Sequence, residues 1–286
     1  MTKFFDYYNL MKPGIIYGNL ITAIGGFLLA SKDHIDISLL IFTLLGTSLI
    51  IGSACVFNNY IDRGIDIKMD RTKKRALVSG LIKPSRALVF GSIIGLVGFL
   101  ILIFHTNGLV VLIGSLAFII YVVFYGISKR RSVHGTLVGS LAGAAPIVAG
   151  YCAVTDDFNS GTIILFLVLV TWQMAHFYAI ATYRLDDYKA AGMPVLPAVA
   201  GIKQTQIQIF AYVGAFIAAT ACLTFFGYTG IVFTIVMLIL GFWWLYKGIK
   251  GFRAMNSKKW AREMFLFSLI IIVGLSFMLS INALIS

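Results

Sequence analysis

The sequence predicts an all-α fold: a polytopic membrane helical bundle of about nine transmembrane helices, with the N-terminus in the cytoplasm and the C-terminus outside. Three observations carry this expectation. First, the 286 residues are 59% hydrophobic and 12% charged, with a mean hydropathy of +0.93. An ordinary soluble domain carries roughly 25% charge, and a chain of this length cannot hide so much apolar surface in a water-soluble core. Second, nine stretches approach the roughly 20 apolar residues that a spanning helix needs. Third, 22 of the 23 Lys and Arg fall in alternate loops, as expected when basic loops stay on the cytoplasmic side.

The spans follow in order. The first, 14–31, lies between Lys12 and Lys32. The second, 37–57, follows Asp36 and runs into a loop with eight basic residues, Arg63 to Arg86. The third, 87–104, is short for a bilayer and carries Gly91 and Gly95. The fourth, 109–128, stops at Lys129-Arg130-Arg131, and the fifth, 133–154, carries Gly135, Gly139 and Gly143. Glycines four apart let helices approach closely. The sixth, 161–183, contains His176 and ends at Arg184. The seventh and eighth, 206–226 and 229–248, are tightly joined; the ninth, 264–285, follows Lys258, Lys259 and Arg262. An odd number of spans puts the termini on opposite sides. Residues 1–286 read as a single domain.

The formal net charge of +12 follows this topology and gives no reason to invoke nucleic acid. Cys55, Cys152 and Cys222 are far apart and without metal-ligand spacing, so they read as small buried residues. The N-terminal run resembles neither a signal peptide nor an Arg/Ser-rich transit sequence. The expected location is a bacterial cytoplasmic (inner) membrane.

Asn58, Asp62 and Asp66 recur every four residues. On a helix they form one polar stripe at the cytoplasmic end of the second span, and Asp70 extends it by a turn if the helix lasts. Like charges on one face repel unless cations neutralise them. Hard oxygen ligands suit Mg²⁺, and the run Arg71-Thr72-Lys73-Lys74-Arg75 follows at once. Carboxylates that hold a metal, beside bases that hold phosphate oxygens, suit a metal-bound diphosphate. The plainer alternative is a solvated loop whose acids pair with its own bases. A second acidic motif, Tyr183-Arg184-Leu185-Asp186-Asp187-Tyr188, ends the sixth span ahead of Gly192, Pro194 and Pro197. It reads either as the other bracket of one site or as a connecting loop. On a continuous helix His176, Tyr183 and Asp187 share a face. An ionisable residue at membrane depth marks function by default, the alternative being a histidine satisfied by an interhelical hydrogen bond.

These residues resemble the UbiA superfamily of intramembrane prenyltransferases, and within it the haem-using branch. The resemblance runs from Lys12-Pro13-Gly14 through Asn58-x3-Asp62-x3-Asp66 and Gly139-Ser140-Leu141-Ala142-Gly143-Ala144-Ala145-Pro146. It continues in Trp172-Gln173-Met174-Ala175-His176, Asp187-Tyr188 and Leu196-Pro197. Ala175 stands where the family usually has Pro, and Ala76 where many relatives have Pro. The resemblance implies farnesyl diphosphate and haem B (protohaem IX) as substrates, in contact with the lipid bilayer. It implies Mg²⁺ at Asn58, Asp62, Asp66 and Asp187, assisted by Asp186. Arg71, Arg75, Lys129 and Arg130 would hold the diphosphate, and His176 would contact haem.

Three readings compete. A relative that prenylates a quinone precursor or other aromatic acceptor would share the metal site. A secondary transporter would place its charges near the bilayer midplane, whereas these acids sit at the boundary. A haem-holding membrane subunit leaves Asn58, Asp62 and Asp66 unexplained.

Overall fold

The computed structural model describes residues 2–31 and 34–282, without the side chains of Thr2 and Lys3. Lys32, Asp33, the Lys3 side chain and positions 283–285 of the ninth expected span lie outside the described residues. Nine helices among the described residues are long and apolar enough to cross a membrane: α1 (Pro13–Ser31), α2 (Ile37–Asp66), α3 (Pro84–His105), α4 (Gly108–Arg131), α5 (Gly135–Thr155), α6 (Ser160–Tyr183), α7 (Gly201–Phe225), α8 (Ile231–Gly251) and α9 (Ser257–Ser280). Shorter helices, Thr2–Leu10, Leu185–Ala190 and Leu196–Val199, lie before α1 and between α6 and α7. The described residues contain no strand.

Local chemistry sets the helix ends. Asp36 caps α2 by accepting from the Leu39 amide; Asn107, Asn159 and Asn256 do the same for α4, α6 and α9. Each satisfies an amide that the first turn leaves open. Pro84 opens α3, where its missing N–H costs nothing, so this helix is longer than the expected 87–104. α9 begins at Ser257 rather than 264, because Asn256 caps it there; Lys258, Lys259 and Arg262 lie on its first turns. α2 continues past 57 to Asp66, and this extension carries the acidic motif on a helix.

Two spans are irregular. α4 contains a π-helical stretch, Ile120–Tyr125. α5 is interrupted at Ala144, between Gly135–Gly143 and Ala145–Thr155. Pro146 sits in the first turn of the second half, where the ring cannot support a continuous ladder.

The spans pack in a ring in which sequence neighbours touch. α1 lies against α2, α5 and α9, and α6 against α7 and α9. In a bilayer, close van der Waals packing holds such helices together. The α1–α5 crossing shows how close it is: a Cβ at Gly26 would lie 2.2 Å from the Ile147 carbonyl oxygen, and one at Gly150 would lie 2.1 Å from that of Ala23. On α3, Gly91 meets Val56 and Gly95 meets Ser53, so the glycine spacing serves packing as expected. The largest buried cluster, including Leu169, Phe216, Trp244 and Ile271, joins α5 to α9. Cys55 and Cys152 are buried and unpaired; Cys222 is only half-buried, on a less enclosed helix than expected. The ends of α2, α4 and α6 and the start of α1 converge at one end of the bundle.

Candidate active site

At that end, α2 presents Asn58, Asp62 and Asp66 on successive turns. Asn58 and Asp66 are buried. Lys129, from the last turn of α4, reaches across. It pairs with the Asp62 carboxylate, and its Nζ lies 3.2 Å from Asn58 Oδ1. Arg130 donates to Asp62 Oδ1 at 3.1 Å and to the Ile61 carbonyl at 2.6 Å. The loop after α2 folds back over the helix. Arg75 there donates to Asp66 Oδ2 at 2.6 Å and to Asn59 Oδ1 at 3.2 Å, and Thr72 donates to the Asp66 carbonyl. Asn59 donates in turn to the Leu10 carbonyl, tying down the N-terminal helix. Buried charges need such partners. Lys129 is itself buried, its ammonium 4.7 Å from the centre of the Tyr125 ring.

Asp70 does not extend the stripe. α2 ends at Asp66, and Asp70 is exposed and bonded to Lys73 at 2.6 Å. The second motif is also rearranged. Arg184 (φ −106, ψ 24) breaks the helix between Tyr183 and Leu185, so His176, Tyr183 and Asp187 do not share one continuous face. Asp187 is half-buried beside Tyr188. Burial pushes the Tyr188 phenol up from its ordinary pKa; Arg71 opposes, Asp187 adds, and Arg184 and Arg75 oppose. Tyr188 therefore sits in the field of both motifs. Asp186 points elsewhere: its side chain is 83% exposed and pairs with Lys258 at 3.1 Å. The structure brings together Asn58, Asp62, Asp66, Arg75, Lys129 and Arg130, and sets Asp186 apart.

Lys12 also belongs to this end, though neither acidic motif nor the basic run after α2 includes it. Its backbone is left-handed (φ 55), and it is half-buried. Burial lowers the ammonium to a pKa of about 8; Cys55 and Asp62 oppose this, while Arg75 and Lys129 push the same way. A single basic residue directly before a Pro-led span was the available signal.

His176 is buried about two turns before the end of α6, which runs unbroken through Ala175. Its Nδ1 lies 2.6 Å from Ser268 Oγ on α9, and its ring stacks on Trp172 at 4.7 Å. Ser268 spends its one proton on the Phe265 carbonyl at 2.6 Å. It therefore accepts from His176, which fixes the proton on Nδ1 and leaves the Nε2 lone pair open. The interhelical bond expected as the plainer alternative is present, and it orients the ring.

Among the described residues, no three of His, Cys, Asp and Glu converge as a ready metal cage. The donor set of Asp62, Asp66 and the Asn58 amide is nonetheless all hard oxygen, which fits Mg²⁺. Asn58 Nδ2 is buried without a partner. Cations now neutralise both carboxylates, and the same cations suit an anion bridged through a metal.

The UbiA prenyltransferase family model matches residues 19–270. The chain is 51% identical over 280 residues to a protoheme IX farnesyltransferase of Klebsiella pneumoniae, covering 98% of this chain and 95% of that protein. It is 50% identical over 278 residues to the Cronobacter sakazakii protein of the same name, covering 97% and 94%. A UbiA homologue of Archaeoglobus fulgidus, solved with GPP and Mg²⁺, has a TM-score of 0.73 at 14% identity, over 96% of this chain and 99% of that one. A UbiA homologue of Aeropyrum pernix has a TM-score of 0.71 at 20% identity, over 93% and 97%. These likenesses bear out the nine-helix fold.

Proposed function

The chain belongs to the UbiA prenyltransferase family, and from that membership we propose that it transfers the farnesyl group of farnesyl diphosphate to a vinyl group of haem B, giving haem O and diphosphate. Identity of 50–51% over nearly the full length of protoheme IX farnesyltransferases supports the acceptor. The observation that carries the chemistry is the interleaving of Asp62 and Asp66 with Lys129, Arg130 and Arg75 at one end of the bundle.

Asn58, Asp62, Asp66 and Asp187 would hold Mg²⁺, which when bound supplies Lewis-acid stabilisation of the leaving diphosphate. Arg71, Arg75, Lys129, Arg130 and Lys12 hold the diphosphate oxygens, and their charge meets the negative charge that develops as the C1–O bond breaks. The bond's electron pair leaves with diphosphate, and the vinyl π pair forms the new bond to farnesyl C1. The cation left on the other vinyl carbon takes the oxygen of water and releases a proton. The farnesyl tail lies among apolar helices. His176 contacts haem, keeping its Nε2 lone pair for the acceptor. The enzyme sits in a bacterial inner membrane with this site facing the cytoplasm.

The test is haem extracted from cells that lack their own haem O, carrying the wild type or Asp62→Ala. Haem O from the wild type alone is expected. Haem O from both would remove Asp62 from the mechanism. A well-inserted wild type that yields none would shift the acceptor to a quinone precursor or other aromatic ring.

A further inference from the structure

Gln173, on α6, is 5% exposed, yet its Oε1 is wholly buried with no partner, and no hydrogen bond reaches the amide from any described residue. Its polar neighbours on this helix are provided for: Trp172 Nε1 donates to the Ser268 carbonyl at 2.9 Å, and His176 is held by Ser268 Oγ. An orphaned amide at membrane depth is costly; here Oε1 is closed in against Gly143, and the unpartnered Nε2 donor is the atom left to meet a small hydrogen-bonding ligand.

The site is also shaped around that amide. A Cβ at Gly143 would lie 2.3 Å from Gln173 Oε1 and 2.6 Å from Nε2, so only glycine leaves the amide its place. The same stripe of α5 leads back to the charged cluster. Gly139 packs on the Tyr125 ring, and Gly135 on the Lys129 backbone, where a Cβ would lie 2.5 Å from Lys129 Cα. Gln173 thus sits about 12 Å along α5 from the level of Lys129. It lies about one helical turn before His176 on α6, its amide meeting α5 where the His176 ring meets α9.

We propose that Gln173 is a positioning residue that holds the water molecule which completes the reaction. This rests on the haem reading above. That reaction consumes one water among apolar helices, and a held water needs polar partners there. The water oxygen adds to the vinyl-derived cation and its proton leaves to diphosphate, giving the hydroxylated product. Where the water is missing, the same cation loses a proton from the adjacent CH₂ to diphosphate and becomes an alkene one water lighter. The ratio of the two products reports on the water and not on farnesyl transfer as such.

The experiment supplies membrane-embedded enzyme with farnesyl diphosphate, Mg²⁺ and haem B, and measures both products by mass. Gln173→Leu has a similar shape without the amide, and Gly143→Ala crowds the amide from the other helix. The expected result is a rise of about ten-fold or more in the alkene-to-alcohol ratio for both variants, with Gln173→Glu close to wild type. A Gln173→Leu enzyme that makes the alcohol at the wild-type ratio overturns the proposal. So does one that keeps the wild-type Tm but transfers no farnesyl, since Gln173 would then act before water does. Should Gln173→Leu fail to fold, an unchanged ratio in Gly143→Ala overturns it equally. Absence of any farnesylated haem from the wild type would instead defeat the haem reading.

Discussion

At the scale of single residues, the site works by pairing charges that are costly alone. Removing one partner from a buried pair leaves the other uncompensated, typically at about 3–5 kcal/mol. Asp62, gripped by Lys129 and Arg130, is such a residue. Lys12 differs, because burial has already brought its pKa to about 8. Below that pH the ammonium adds a positive charge to this end of the bundle, in the proposed function for the diphosphate; above it the charge is gone. kcat/KM for farnesyl diphosphate should therefore fall as pH rises from 7 to 9. In Lys12→Arg, whose guanidinium stays protonated, the decline should be smaller. Steady-state profiles of both proteins check this, and parallel profiles would remove Lys12 from diphosphate binding.

At the scale of elements, the bundle depends on where helices are allowed to touch. Gly150 on α5 faces the Ala23 carbonyl of α1, and backbone on both sides leaves no flexible group to give way. Gly214 on α7 has nothing within 4 Å. The same substitution should then act with opposite sign. Gly214→Ala gains helix propensity, worth about 0.5–1 kcal/mol, and should raise Tm in detergent. Gly150→Ala overpacks the crossing, at about 1–3 kcal/mol, and should lower it. Equal shifts in thermal unfolding would mean that the α1–α5 contact is looser than its geometry. The interruptions at Ala144 and Arg184 matter at this scale too. One lies beside the Gly143–Gln173 contact, and the other separates Asp187 from α6.

At the scale of the whole molecule, the proposed orientation, with the charged end facing the cytoplasm, rests on nine spans among the described residues and the alternation of basic loops. Exposed Ile, Leu and Phe on the outer faces of α3, α8 and α9, such as Leu96, Ile239 and Phe277, meet lipid. A membrane-impermeant maleimide should label Asp156→Cys in intact cells, and Lys74→Cys only after permeabilisation, each in a background without the native cysteines. The reverse pattern would invert the topology.

The sequence by itself determined the helical class, the number of spans among the described residues and the α2 half of the candidate site. Hydropathy must match bilayer thickness, and a four-residue spacing on a helix leaves Asn58, Asp62 and Asp66 nowhere to go but one face. It also singled out Arg75, Lys129 and Arg130 as bases, without saying which acid each would meet. Tertiary structure decided those pairings, since Lys129 and Asp62 lie far apart in sequence and meet only because α4 ends beside α2. It decided that Asp186 turns to Lys258 while Asp187 stays near Tyr188, because a break at Arg184 rotates the short helix away from the line of α6. It brought Lys12 into the site through a left-handed turn that no hydropathy pattern encodes. And it left the Gln173 amide without a partner, a property of the space between two helices rather than of either one.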